Sequence, residues 1–193
     1  MNAFLVSTGI VALSEIGDKT QLLALLLAAR FRKPAPIILG ILIATIANHS
    51  IAGALGTWIT AVLGPVLLRW ATGLSFIGIG LWTLIPDKLD HDATHDPTQK
   101  ERFGVLGATI VAFFLAEMGD KTQFATITLA ARFNTFLPVV AGTTLGMMLA
   151  DVPAVLLGGR VAQRMPTRLV HAIAAMLFIA LGLLALVGPA APF

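Results

Sequence analysis

Two seven-residue phrases hold most of the residues in this chain that could do chemistry. Glu15-Ile16-Gly17-Asp18-Lys19-Thr20-Gln21 recurs as Glu117-Met118-Gly119-Asp120-Lys121-Thr122-Gln123, and both copies run on to Leu-Ala-Ala-Arg-Phe, at 27–31 and 129–133. On a helix, Glu15 and Asp18 share one face with Lys19 on its flank, and Glu117, Asp120 and Lys121 repeat the arrangement. Carboxylate, amide and hydroxyl oxygens are hard donors that suit calcium, manganese or magnesium. With all six groups ionised, each phrase carries two negative charges and one positive, so the pair totals minus two. One divalent cation neutralises it. Gln21 and Gln123 can add neutral oxygens. Thr20 and Thr122 can do so less readily, because on an unbroken helix they point away from the acids. Gly17 and Gly119 lie between the acids, where a glycine lets backbones approach closely or loosens a turn so that carbonyl oxygens meet an ion.

Both phrases sit in the middle of long apolar stretches. The 193 residues are 57% apolar and only 12% charged, and the mean hydropathy is +0.89. A soluble domain carries about twice that charge fraction, and several apolar runs approach the roughly 20 residues that cross a bilayer. The expected class is an all-α polytopic membrane protein. Each ionisable residue at mid-bilayer costs about 2.5–3.5 kcal/mol, so six facing lipid would cost on the order of 15–20 kcal/mol. They must face one another or water. The absence of cysteine removes disulfides, thiolate metal sites and cysteine nucleophiles. The start, Met-Asn-Ala-Phe-Leu, lacks a signal-peptide pattern, so the first helix is expected to be retained.

Six spans are expected, at roughly 3–29, 35–59, 64–85, 104–131, 136–159 and 167–188. Short connections are marked by Arg32-Lys33-Pro34, Gly64-Pro65, Asn134-Thr135 and Met165-Pro166. The organisation is a first three-helix repeat over 1–85, a hydrophilic cytoplasmic loop over 86–103 and a second repeat over 104–193, in one integrated membrane domain. The repeat extends past the phrases at a constant offset of 102, pairing Pro36 with Pro138, Gly40 with Gly142, Phe76 with Phe178 and Gly80 with Gly182. Asn48 meets Asp151 when one residue is inserted, which makes both candidate ligands from the second span of each half. An odd number of spans per half turns the second half upside down. Inverted repeats of this kind place an ion site near the midplane where the halves meet.

Basic residues orient the spans. Arg30, Arg32, Lys33, Lys88, Lys100, Arg102, Arg160, Arg164 and Arg168 lie on one side, against Arg69 and Arg132 on the other. Nine against two puts both termini away from the cytoplasm, in what is expected to be a bacterial inner membrane. The positive net charge therefore reports orientation, with no nucleic-acid partner implied.

A carboxylate in a low-dielectric cavity gains proton affinity and a bound cation lowers it, so protons and metal compete for the site. With alternating access, that competition gives cation/proton exchange. A structural ion-pair network is the plainer account of one such phrase, but duplicated phrases with excess acid in both copies favour a transport site. Three other functions compete with exchange. A divalent-cation channel would use the same acids without counter-transport. A lipid-phosphate hydrolase would need a phosphate-binding cluster near the acids. A non-catalytic membrane subunit gives no reason for duplicated buried acids. No enzymatic activity and no cofactor are expected, and the partners are divalent cations, protons and the bilayer.

Two copies of E-x-G-D-[KR]-[TS], one per half, resemble the signature of the Gdt-type calcium/manganese:cation antiporters. Both copies match without departure, and the resemblance covers essentially the whole chain. It implies manganese or calcium moved out of the cytoplasm in exchange for protons, manganese efflux in compact bacterial members, and the phrase acids as the essential residues.

Weaker signals have plainer readings. His91 and His95 in the central loop could gather metal, although a solvated loop accounts for them. His49 beside Asn48 could relay protons, although a packed interface histidine is the simpler account. Met118, Met147 and Met148 could lend thioethers, although packing explains them. Trp58, Trp70 and Trp82 fall near span ends as interfacial anchors do. His171 has no evident partner in the sequence.

Overall fold

A computed structural model describes residues 2–85, 99–157 and 167–187. The elements among them are helices: α1 (Ala3–Glu15), α2 (Lys19–Phe31), α3 (Pro34–Val62), α4 (Pro65–Thr83), α5 (Gln99–Glu117), α6 (Lys121–Phe133), α7 (Leu137–Leu157) and α8 (Thr167–Val187). Helices α3, α4, α7 and α8 are long and apolar enough to cross a membrane, and they match the expected spans two, three, five and six within a few residues. Pro34 and Pro65 open α3 and α4 at first-turn positions, where a missing N–H costs nothing.

Spans one and four depart from expectation. Each was expected as one continuous helix and each is broken inside its phrase, at 16–18 and 118–120. The glycines cause it. Gly17 takes φ +84° and Gly119 φ +74°, a left-handed backbone that ends a helix of L-residues and that glycine adopts without a Cβ clash. The short halves α1, α2 and α6 have 13 residues each and carry the phrases at their ends. The C-caps of α2 and α6 repeat as well: Arg32 and Asn134, 102 residues apart, both sit in the left-handed region. Helix α5 has its own kink at Gly104, φ +64°. The His91/His95 pair, Lys88, Arg160 and Arg164 lie outside the described residues.

Packing is reciprocal between the halves. In α3, a Cβ at Gly40 would meet the Thr109 Cβ of α5 at 2.7 Å; in α7, a Cβ at Gly142 would meet the Ser7 Cβ of α1 at 3.0 Å. Those contacts exchange under the same 102-residue offset. Each second-span helix therefore lies against the broken helix of the other half. Helices α4 and α8 pair by the same rule, with Gly80 against the Ala175 carbonyl and Gly182 against the Gly73 carbonyl. Phe76 and Phe178, equivalent positions, touch each other with ring centroids 6.3 Å apart. Small residues at these crossings let backbones approach, which is how apolar helices gain packing where lipid offers no hydrophobic drive.

Two apolar clusters flank the broken segments. One joins Leu23, Leu27, Ile37, Ile41 and Phe113 and is built on α2. The other joins Leu129, Phe133, Val139, Phe76 and Phe178 and is built on α6. Leu and Ile side chains also cover the outside of the bundle, with Trp58, Trp70 and Trp82 exposed among them. A water-soluble protein buries such a surface; a lipid-facing one presents it.

Candidate functional site

The two breaks bring the phrases together. Glu15 ends α1 and Glu117 ends α5, while Asp18 and Asp120 take the N-cap positions of α2 and α6 in extended backbone. Neither aspartate uses its side chain to cap its own helix. A glutamate at a helix C-terminus and a lysine in the first turn both sit at the wrong end of the helix dipole. Helix stability does not select that arrangement, so the charges answer to something across the interface.

Each lysine crosses to the other half. Lys19 Nζ lies 2.9 Å from Asp120 Oδ1 and Lys121 Nζ lies 2.7 Å from Asp18 Oδ1. The sequence placed each lysine beside its own aspartate; the tertiary fold pairs it with the other one. The two pairs differ in setting. Lys121 is 1% exposed and Lys19 27% exposed, so water reaches the site from the Lys19 side of the pairing more readily.

The threonines also correct the expectation. Thr20 Oγ1 donates to Glu15 Oε2 at 2.8 Å, and Thr122 Oγ1 donates to Glu117 Oε2 at 2.9 Å. The break rotates the start of α2 and α6 relative to α1 and α5, and that rotation turns the hydroxyls onto the acids. Thr122 Oγ1 also comes within 3.5 Å of Asp120 Oδ2, linking the two acids of its phrase.

The glutamines stitch the breaks. Gln21 Oε1 accepts from the Gly17 N–H at 2.8 Å, and Gln123 Oε1 accepts from the Gly119 N–H at 2.8 Å. Their amide nitrogens reach the second-span helices of the opposite halves. Gln123 Nε2 donates to Asn48 Oδ1 at 2.6 Å, and Gln21 Nε2 donates to the Ala150 carbonyl at 3.0 Å. Asn48 and Asp151, both fully buried, are thereby held beside the phrases.

One carboxylate oxygen from each of Glu15, Asp18 and Asp120 lies within 4.8 Å of the others. Three oxygens at that mutual spacing surround a volume in which each can come within ligand reach of one cation, since calcium–oxygen distances are about 2.3–2.6 Å. Glu117 stands outside that trio. It is joined to the trio through Thr122, which reaches both Glu117 Oε2 and Asp120 Oδ2. Glu15 Oε1, Glu117 Oε1 and both Asp151 carboxylate oxygens are buried without a hydrogen-bond partner among the described residues. Buried carboxylate oxygens left open in this way are costly unless a cation or proton satisfies them.

Comparison with known proteins gives the family. The family model described as the divalent cation/proton antiporter GDT1 matches residues 3–91 and 105–192. The chain belongs to the GDT1 family of divalent cation/proton antiporters. Among its GDT1 relatives, a Vibrio cholerae protein named "Putative manganese exporter" is 47% identical over 184 residues, covering 95% of this chain and 90% of its own length. GDT1-like protein 5 of Arabidopsis thaliana is 30% identical, with 98% and 97% covered. GDT1-like protein sll0615 of Synechocystis is 30% identical, with 92% and 93% covered. No solved structure matches. Membership in GDT1 makes this protein a membrane transporter, consistent with the four long apolar helices among the described residues.

Of the remaining signals, His49 is fully buried and neither ring nitrogen has a hydrogen-bond partner among the described residues. Met147 is buried in the packing, and Met118 is exposed beside the second break. Sequence reasoning gave His171 no role. In the fold its Nε2 lies 2.6 Å from the Ile16 carbonyl, inside the first phrase. The only signal for that contact is the fold itself.

Proposed function

We propose that this protein is a secondary transporter that exchanges a divalent cation, manganese in preference to calcium, for protons and exports the metal from the cytoplasm. The observation that carries the reading is the convergence of Glu15, Asp18 and Asp120 carboxylate oxygens, drawn from both phrases, within 4.8 Å of one another. Those three acids are the metal's anchors. Glu117, Asp151 and Asn48 complete the oxygen set as the site changes shape, with Gln21 and Gln123 as neutral donors.

Charge supports coupling. Four phrase acids and Asp151 carry five negative charges when ionised, and Lys19 and Lys121 return two. The formal sum is minus three. One divalent cation leaves minus one, so neutrality in the loaded state takes one proton, and in the metal-free state three. Metal and protons thus exchange on one set of oxygens. The N-termini of α2 and α6 aim positive dipole ends at the acids. The lysines hold Asp18 and Asp120 in place when no metal does.

The same reading takes the reciprocal contacts as an inverted repeat of two three-span halves, each with a broken first span, rocking about the Phe76–Phe178 contact. The basic-residue bias puts both termini outside the cytoplasm, in a bacterial inner membrane. The preference for manganese rests on the name of the Vibrio cholerae relative.

The test is flux in proteoliposomes with manganese, calcium and magnesium, with and without a pH gradient. Manganese movement should follow an imposed opposing proton gradient and vanish in Asp120→Asn. Flux indifferent to the gradient removes the proton half of the reading, and fast downhill flux without counter-transport makes the protein a channel.

A further inference from the structure

We infer that His171 is a positioning residue that locks the first phrase, leaving the second phrase as the mobile half of the site. The inference rests on the transport reading above and deepens it.

Where a helix ends, its last carbonyls lose their ladder partners. At the first break, Ile16 takes φ −65° and ψ 114°, so its carbonyl turns away from the helix axis. His171 Nε2 lies 2.6 Å from that oxygen, and because a carbonyl only accepts, the ring donates. The next group along, the Gly17 N–H, donates to Gln21 Oε1 at 2.8 Å. The Ile16–Gly17 peptide is therefore held at both polar ends, by α8 through oxygen and by α2 through nitrogen. It is the peptide that separates Glu15 from Asp18, two of the three converging acids.

Among the described residues, the second phrase shows a hydrogen bond at only one end of the equivalent peptide. The Gly119 N–H donates to Gln123 Oε1, as in the first phrase. Position 69 is the equivalent of 171 at the 102-residue offset, and it is arginine. Arg69 Nε makes no hydrogen bond among the described residues. Met118 is 54% exposed and Gly119 is exposed, whereas Ile16 and Gly17 are half-buried. Among the described residues, a donor on α8 thus distinguishes the first peptide from the second. A transporter with a fixed acid pair and a movable one can keep hold of the ion with Glu15 and Asp18 while the second phrase opens.

His171→Phe keeps the ring shape and removes the donor; His171→Gln keeps an N–H at similar reach. In proteoliposomes the Phe variant should raise the metal KM roughly 3- to 10-fold, the effect of one lost hydrogen bond, with kcat within about twofold of the parent on the same reasoning. The Gln variant should restore KM. A Phe variant with parental KM, or a Gln variant as impaired as Phe, overturns the inference. A purely structural histidine would lower the melting temperature and leave KM alone. If the Phe variant does not fold, hydrogen exchange on the parent protein decides: the 16–18 amides should exchange more slowly than those of 118–120, and equal rates overturn the inference. If the parent moves no divalent cation at all, the transport reading fails, and the exchange comparison still judges His171.

Discussion

Lys121→Met should destabilise the metal-free protein far more than Lys19→Met, although the two lysines are equivalent by sequence. Lys121 Nζ is 2.7 Å from Asp18 Oδ1, with the side chains 1% and 0% exposed. Removing one member of a fully buried pair takes the closest counter-charge from the other, which costs about 3–5 kcal/mol. Lys19 Nζ is 2.9 Å from Asp120 Oδ1 but 27% exposed, so water recovers part of the loss. Its removal should cost about 1–2 kcal/mol, between the exposed and buried limits. The difference of about 2–3 kcal/mol is measurable by denaturant unfolding in mixed micelles without metal. Adding manganese should shrink it, because a divalent cation returns the charge that the lysine supplied and binds the native state selectively. A second variant tests the cause: Asp18→Asn in the Lys121→Met background should recover most of the loss, since the charge that lost its counter-ion is removed too. Equal losses at the two lysines, or no recovery in the double variant, would refute the crossed-pair reasoning.

Other expectations follow from single contacts. Thr122→Val removes the hydroxyl that donates to Glu117 Oε2 at 2.9 Å; a hydrogen bond to a charged group is worth about 1.5–3 kcal/mol, so manganese KM or kcat should change by roughly ten- to a hundredfold, with Thr122→Ser close to the parent in the same flux assay. Gly119→Ala places a Cβ in open space, so its cost comes from the left-handed φ of +74° alone; a melting-temperature loss equivalent to about 1–2 kcal/mol is expected. Gly142→Ala drives a Cβ against the Phe4 carbonyl at 2.5 Å and should separate α1 from α7, read as loss of folded protein on size-exclusion chromatography, whereas Gly78→Ala, with nothing within 4 Å, should behave as the parent. Asn48→Asp keeps an oxygen for Gln123 Nε2 to donate to at 2.6 Å while adding a negative charge beside the phrases; equilibrium titration should show tighter manganese binding, and flux should show slower turnover.

Most of the site's membership was legible in the sequence. Charged residues inside apolar stretches are expensive wherever they sit, so Glu15, Asp18, Glu117 and Asp120 announced themselves by composition alone. Duplication at a constant offset announced that the two sets belong together. The glycines between the acids gave notice of a loosened turn, and φ values of +84° and +74° are what only glycine takes easily. Spans one and four were nonetheless expected to be continuous, because a window of apolar residues does not register three residues that leave the helix. The threonine geometry followed that error, since side-chain direction was read from an unbroken helix.

What the sequence by itself determined is the class of protein, the candidate acids and the duplication of their phrase, because burial cost and repetition depend only on residue types and their order. What tertiary structure alone decided is which group faces which: Lys19 with Asp120, Lys121 with Asp18, Gln123 with Asn48, and His171 with the Ile16 carbonyl. Those partners are separated by 75 to 155 residues in the hydrogen-bonded cases. Local periodicity fixes the direction of a side chain relative to its own helix and says nothing about the helix opposite. The reciprocal packing of α3 with α5 and of α7 with α1 supplies that information, and the two phrases differ in that His171 of α8 reaches the first.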